Sequence, residues 1–172
     1  MADIRIYGDP VLRKKAKKIT VFDDELQAFI QQMKKDMHEK DGVGLAAPQV
    51  GKSIRLAVVD TTLGEGEPYV LINPEIFYFS EETEENSEGC LSLPDISVHI
   101  RRPSIISVRA LNQDGVEYTI EKVEGLLSRA IQHETYHLNV ILFVDHSSLV
   151  RRQLIAGKLR KLAKSHQKPS NT

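Results

Sequence analysis

Val123-Glu124-Gly125-Leu126-Leu127-Ser128-Arg129-Ala130-Ile131-Gln132-His133-Glu134-Thr135-Tyr136-His137-Leu138-Asn139 reads as one helix. Leu126, Ala130, His133 and His137 fall on a single stripe, while Leu127, Ile131 and Leu138 cover much of the adjacent surface. A helix that is apolar on most sides is a buried, central one. His133 and His137 stand four residues apart, nearly above one another. Two imidazoles stacked in this way can bind one metal ion, and the glutamate between them, Glu134, can reach a water on that ion. The same spacing also suits a polar helix with two solvated histidines, and a single core histidine is usually satisfied by a carbonyl. The intervening glutamate tips the reading toward a metal. Two protein ligands rarely suffice, so a third is expected from elsewhere, with a fourth position left for water. Cys90 is the only cysteine of the 172 residues. It is the natural candidate because a thiolate is a strong soft ligand. Its alternative is a small buried apolar residue.

Outward from this helix the pattern changes. Toward the N-terminus, Asp23-Asp24-Glu25 places acids at a helix start, and Leu26, Phe29, Ile30, Met33 and Met37 recur at helical spacing to about Lys40. This helix is expected to stop at Asp41-Gly42-Val43-Gly44, where glycine permits unusual backbone angles. From Ile54 to Val123 the chain reads as strands: 54–59, 69–72, 76–79, then alternation at Ile96-Val98-Ile100 and Ile106-Val108-Ala110. Asn112-Gln113-Asp114-Gly115 is a hairpin turn into a partner strand near 116–120. Glu81, Glu82, Glu84 and Glu85 read as a solvated loop. A third helix is expected over about 149–164, packing through Ile155, Leu159 and Leu162. The expected fold is therefore α+β, with antiparallel or mixed sheets around a central metal-binding helix and one further helix at each end of the chain.

Composition sets the outer bounds. The length suits a single domain, 1–172, with a core that needs no disulfide. One cysteine and the lack of a visible signal segment fit a reducing cytoplasm. No apolar run approaches the ~20 residues of a membrane span, so no membrane partner is expected. The net charge of −1 hides an asymmetry. Of 23 Lys and Arg, seven lie in the acid-free stretch 147–172 (Arg151, Arg152, Lys158, Arg160, Lys161, Lys164 and Lys168). The other 16 face all 24 Asp and Glu, a formal −8 for the first 146 residues. A basic tail on an acidic body suggests a polyanion such as RNA as a partner, although a solvated helix face would look the same.

Three segments carry a family resemblance. Gly42-Val43-Gly44-Leu45-Ala46-Ala47-Pro48-Gln49, Glu88-Gly89-Cys90-Leu91-Ser92-Leu93-Pro94 and Gln132-His133-Glu134-Thr135-Tyr136-His137-Leu138 resemble the signature motifs of peptide deformylases, in order and spacing. Gly8-Asp9-Pro10-Val11-Leu12-Arg13 and Leu142-Phe143-Val144-Asp145 extend the likeness through nearly the whole chain. The resemblance implies a hydrolase that removes the formyl group from the N-terminal formyl-methionine of new polypeptides. It implies Cys90, His133 and His137 as ligands of Fe(2+), with Zn(2+), Ni(2+) or Co(2+) able to occupy the site. Glu134 would act as general base and acid. The Gln49 amide and the Leu91 backbone N–H would stabilise the oxyanion. Val43, Gly44, Gly89 and Leu126 are expected to bind substrate, with Val43, Leu126 and the flank of His133 around the methionine side chain. In some relatives the C-terminal helix contacts the ribosome, and the basic helix here is similar.

Two positions depart from the family pattern. Tyr136 replaces an Asp that pairs with an arginine, here Arg102, so Arg102 is expected to lose that partner. Val140 replaces a glycine, and valine resists positive φ. Two other functions fit parts of the chain. An endopeptidase would take His146 or His166 as its third ligand instead of Cys90. An inactive deformylase-like protein would only dock on the ribosome.

Overall fold

The computed structural model describes residues 3–166. Among these residues three helices, α1 (Asp24–Glu39), α2 (Gly125–Leu138) and α3 (Leu149–His166), accompany seven strands. The strands are β1 (Gly44–Ala46), β2 (Leu56–Val59), β3 (Tyr69–Phe79), β4 (Thr83–Glu88), β5 (Val98–Pro103), β6 (Ile106–Leu111) and β7 (Glu117–Val123). All strand pairs are antiparallel, in a five-stranded sheet of order β1-β2-β3-β6-β7 and a two-stranded β4-β5 ribbon. The α+β expectation holds.

The sheet is sandwiched, and β2 shows how. Leu56 and Val58 pack with α1 through Ile30, Met33 and Met37, whereas Ala57 and Val59 pack with α2 through Ala130 and Ile131. Successive side chains of a strand point to opposite faces, so a strand covered on both sides becomes the continuous apolar run that the sequence presents. A third cluster joins β5 and Leu142-Phe143-Val144 to Ile155, Leu159 and Leu162 of α3, the packing face expected for that helix. Phe143 is almost fully buried, and its truncation to Ala would cost about 3–5 kcal/mol.

Helix α1 starts where the acids predicted, with the Asp23 carboxylate accepting from the Leu26 N–H at 2.9 Å. Its end differs from expectation. The left-handed angle falls on Asp41, with φ 52°, and not on either glycine. Gly44 is needed for space instead: a Cβ there would lie 2.5 Å from Glu134 Oε1. The runs 69–72 and 76–79 form one strand, bent where Asn73 takes φ 50° and the ladder to β6 shifts register. The Asn73 side chain there donates to the Ile19 C=O and accepts from the Ile19 N–H, at 2.8 and 2.9 Å.

The acidic run 81–85 is corrected. Glu84 and Glu85 are exposed, but they sit in β4, paired with Arg102 and Arg101 across the ribbon. The backbone ladder and opposite charges across the strands overcome the low strand preference of glutamate.

Candidate metal centre and active-site cavity

Two elements deliver the centre. Helix α2 carries His133, Glu134 and His137, and the loop leaving β4 carries Cys90. The N-terminal segment stitches the surrounding loops, since the Arg5 N–H donates to the Gln49 C=O at 2.7 Å and the Tyr7 N–H to the Ser92 C=O at 2.8 Å. His137 Nε2 lies 3.3 Å from Cys90 Sγ and 3.2 Å from His133 Nε2. All three ligand atoms fall within 4.8 Å of one another. A tetrahedral ion about 2.0–2.1 Å from nitrogen and about 2.3 Å from sulfur would separate its donor atoms by about 3.3–3.6 Å. The observed spacings fit such an ion.

Burial disfavours charge on both imidazoles, but the Cys90 sulfur and the Glu88 carboxylate reverse that for His133 and raise its pKa. Burial, His133 and Arg102 hold His137 well below the ordinary value. A bound cation needs a deprotonated nitrogen from each ring, so its binding is linked to proton release from His133. His133 Nδ1 lies 3.1 Å from Glu88 Oε2, which leaves Nε2 to face the other two donors.

Glu88 is the residue that the sequence reading missed. It is nearly fully buried, yet its carboxylate is held far below the usual range. Burial alone would raise it, but hydrogen bonds from Arg102 and His133 outweigh that. Arg102 donates through Nε and Nη2 at 2.6 and 2.8 Å, and Arg129 through Nη1 at 2.7 Å. Arg102 is therefore not left without an acid. Tyr136 lies beneath it, with the guanidinium 4.9 Å from the ring centroid. One signal was available in the sequence. In Val98-His99-Ile100-Arg101-Arg102, the inward alternation puts Arg102 where only a buried acid can balance it. The Val140 concern is confirmed, because this β-branched residue stands at φ 68° just past α2.

A cavity of about 380 Å³ opens beside the centre, lined by Val43, Gly44, Gln49, Gly89, Cys90, Leu91, Leu126, His133 and Glu134 among others. Of the predicted site residues only His137 is absent from its wall. Leu126 stands at the rim, 54% exposed. Arg129 also lines the cavity. Glu134 is buried, its Oε2 has no hydrogen-bond partner among the described residues, and burial lifts its pKa to about 7. Gln49 is fixed by the Ala46 N–H, which donates to its Oε1 at 2.8 Å. Its Nε2 then points at Cys90 Sγ and Ser92 Oγ, 3.4 and 3.3 Å away. His146 stacks on Tyr136, outside the three-donor cluster. The His166 side chain lies outside the described residues.

Known proteins resemble this chain in sequence and in fold. The family model for polypeptide deformylase matches residues 1–153. The peptide deformylase of Thermotoga petrophila is 49% identical over 165 residues, covering 96% of this chain and 98% of its own. That of Brucella suis is 40% identical over 161 residues, covering 92% and 91%. Among solved structures, Arabidopsis thaliana peptide deformylase 1B, crystallised with an inhibitor, superposes with a TM-score of 0.92 at 35% identity, covering 99% of this chain and 97% of its own. The Thermotoga maritima enzyme gives 0.81 at 49% identity, covering 86% and 98%. Enzymes of this kind are metal-dependent and take the formyl group off nascent peptides. Nothing in these relatives favours an inactive docking protein. With the cavity and every side chain around it inside the matched residues, the chain belongs to the polypeptide deformylase family.

Proposed function

We propose that Cys90, His133 and His137 hold one divalent cation in a single catalytic domain, 1–172, and that the adjoining cavity receives the formylmethionyl end of a nascent chain. The observation carrying this reading is the convergence of one sulfur and two ring nitrogens within 4.8 Å, beside a buried glutamate. Iron(II) is the native ion in this reading, and zinc, nickel and cobalt suit the same thiolate and imidazole donors. When bound, such an ion acidifies a water and polarises a carbonyl.

The chain's own residues do the rest. Glu134 takes a proton from the attacking water and delivers it to the amine nitrogen as the formyl C–N bond breaks, releasing formate. A carboxyl with a pKa near 7 suits both halves of that transfer. Gln49 Nε2 and the Leu91 N–H are the donors for the developing oxyanion, and the Ala46 contact already holds the Gln49 amide in place. Val43, Gly44 and Gly89 hold the substrate backbone by strand-like hydrogen bonds. Leu126, Val43 and the flank of His133 surround the methionine side chain.

The reading extends to location and partner. Substrate of this kind arises at the ribosome, and the Arg- and Lys-rich surface of α3 suits docking there, in the cytoplasm. Lys168 lies outside the described residues. No helix among the described residues is long and apolar enough to cross a membrane.

Anaerobically purified protein loaded with iron or nickel is expected to release formate from formyl-Met-Ala-Ser. Failure to do so, with metal content verified, would defeat the reading. Glu134→Gln should keep the metal and lose most turnover. Cys90→Ala should lose the metal, whereas retention would favour the peptidase ligand set.

A further inference from the structure

We propose that the concave surface formed by Lys15, Lys17, Lys18 and Arg55 is a second docking surface, one that holds the phosphate backbone of folded RNA. These residues line a cavity of about 570 Å³, together with Ala16, Asn73, Pro74 and Glu75. Among the described residues Lys14, Lys15, Lys17 and Lys18 make no ion pair and no side-chain hydrogen bond. In the rest of the first 146 residues, the described cations outside any ion pair are Lys40, Lys122 and Arg55. Unbalanced positive charge therefore gathers at this surface, on a body whose formal charge is negative. The one acid in the lining, Glu75, pairs with Arg109 at 3.1 Å and also acts on Arg55, which leaves the three lysines without a carboxylate.

The surface is also rigid. The Lys17 N–H donates to the Ser53 C=O at 2.9 Å, and the Arg55 N–H to the Lys17 C=O at 2.8 Å, a parallel bridge that fixes the backbone. Asn73 grips Ile19 two residues on. Arg55 is held by the carbonyls of Leu138 and Pro74 and by Asn139 Oδ1, all neutral acceptors that leave its charge in place. A fixed backbone carrying uncompensated lysines loses little order when it meets a polyanion.

The lining also selects the partner. It offers no large exposed apolar side chain, which a membrane-surface site would need. It has no aromatic platform for unstacked bases. What remains is cationic contact to phosphates, which follows the backbone and reads no sequence. The same N-terminal segment is seated on α3, because a Cβ on Gly8 would lie 2.7 Å from Ala163 Cα, between Arg160 and Lys164. The inference does not rest on the docking role of α3 or on the catalytic reading.

The test is fluorescence anisotropy of the full chain with a labelled RNA hairpin across 50–200 mM salt. Three proteins are compared: the parent, Lys15→Gln/Lys17→Gln/Lys18→Gln, and Arg152→Gln/Arg160→Gln/Lys161→Gln on α3. The first triple is expected to reduce the slope of log affinity against log salt by about 3, one for each lysine. Its turnover of formyl-Met-Ala-Ser should match the parent, which also reports correct folding. An unchanged slope in this triple, with loss only in the α3 triple, would overturn the proposal. Two further outcomes would also overturn it. One is displacement of the RNA by inorganic phosphate beyond what ionic strength explains, which would assign the surface to free phosphate. The other is lysine-dependent binding to phosphatidylglycerol vesicles with RNA binding unaffected, which would assign it to a membrane.

Discussion

Glu88→Ala should weaken both the fold and cation binding, and the structure says by how much. Glu88 is 5% exposed and Arg102 2% exposed, so the substitution strands a guanidinium away from water over the Tyr136 ring. Breaking one side of a buried pair in this way costs about 3–5 kcal/mol. Arg129 keeps the C=O groups of Ile100 and Glu84, at 3.0 and 2.9 Å, and adds less to the loss. The second effect is on the cation. Glu88 fixes which nitrogen of His133 faces the centre, and removing such a partner lowers metal affinity about 10–100-fold. Urea unfolding of the metal-free protein reads the first effect, and chelator competition reads the second. Glu88→Gln/Arg102→Met removes both charges at similar volume, so it should regain most of the stability while the affinity stays low. A stability loss under about 1 kcal/mol for Glu88→Ala, with unchanged affinity, would refute the reasoning.

Other outcomes follow from single features. Val140→Gly relieves a β-branched residue at φ 68° and should stabilise the fold by about 1 kcal/mol, raising the thermal midpoint by about 2–4 °C; a lowered midpoint would contradict it. Asp60 is buried, which alone would raise its pKa, but hydrogen bonds from Thr62, His38 and Gly64 bring it from 3.8 down to about 2. Its contribution to stability is thus complete above about pH 4 and withdrawn as pH falls toward about 2. Asp60→Asn should flatten the pH dependence of the urea midpoint in that window, and an unaltered profile would exclude the assignment. Tyr136→Phe keeps the ring under Arg102 and beside His146, so unfolding free energy should move by less than about 0.5 kcal/mol, whereas a larger loss would mean that the hydroxyl matters.

Legibility of the sequence followed the distance over which its signals act. Helices α1 and α2 are readable because apolar periodicity is local, and α1 adds acids at its start. The pair His133 and His137 was readable because one helical turn fixes their geometry. Cys90 could be nominated as the only thiol, although its convergence with that helix required the fold. Glu88 could not be assigned, since its meaning comes from Arg102 on the paired strand and Arg129 on a helix far along the chain. Strand β4 was hidden for the same reason: Thr83–Glu88 is nearly all polar, and it is a strand because of its ladder to β5. The runs 69–72 and 76–79 read as two strands and form one, bent at Asn73, whose side chain bonds Ile19. The helix stop at 41–44 was placed correctly, but Asp41 took the left-handed angle while Gly44 made room for Glu134.

The convergence of Cys90, His133 and His137 on one cation is tested most directly by X-ray absorption of the protein loaded with one equivalent of zinc as a redox-silent probe. One sulfur at about 2.3 Å and two imidazole nitrogens at about 2.0–2.1 Å are expected around the zinc. A shell of nitrogen and oxygen alone in the unaltered protein would contradict it.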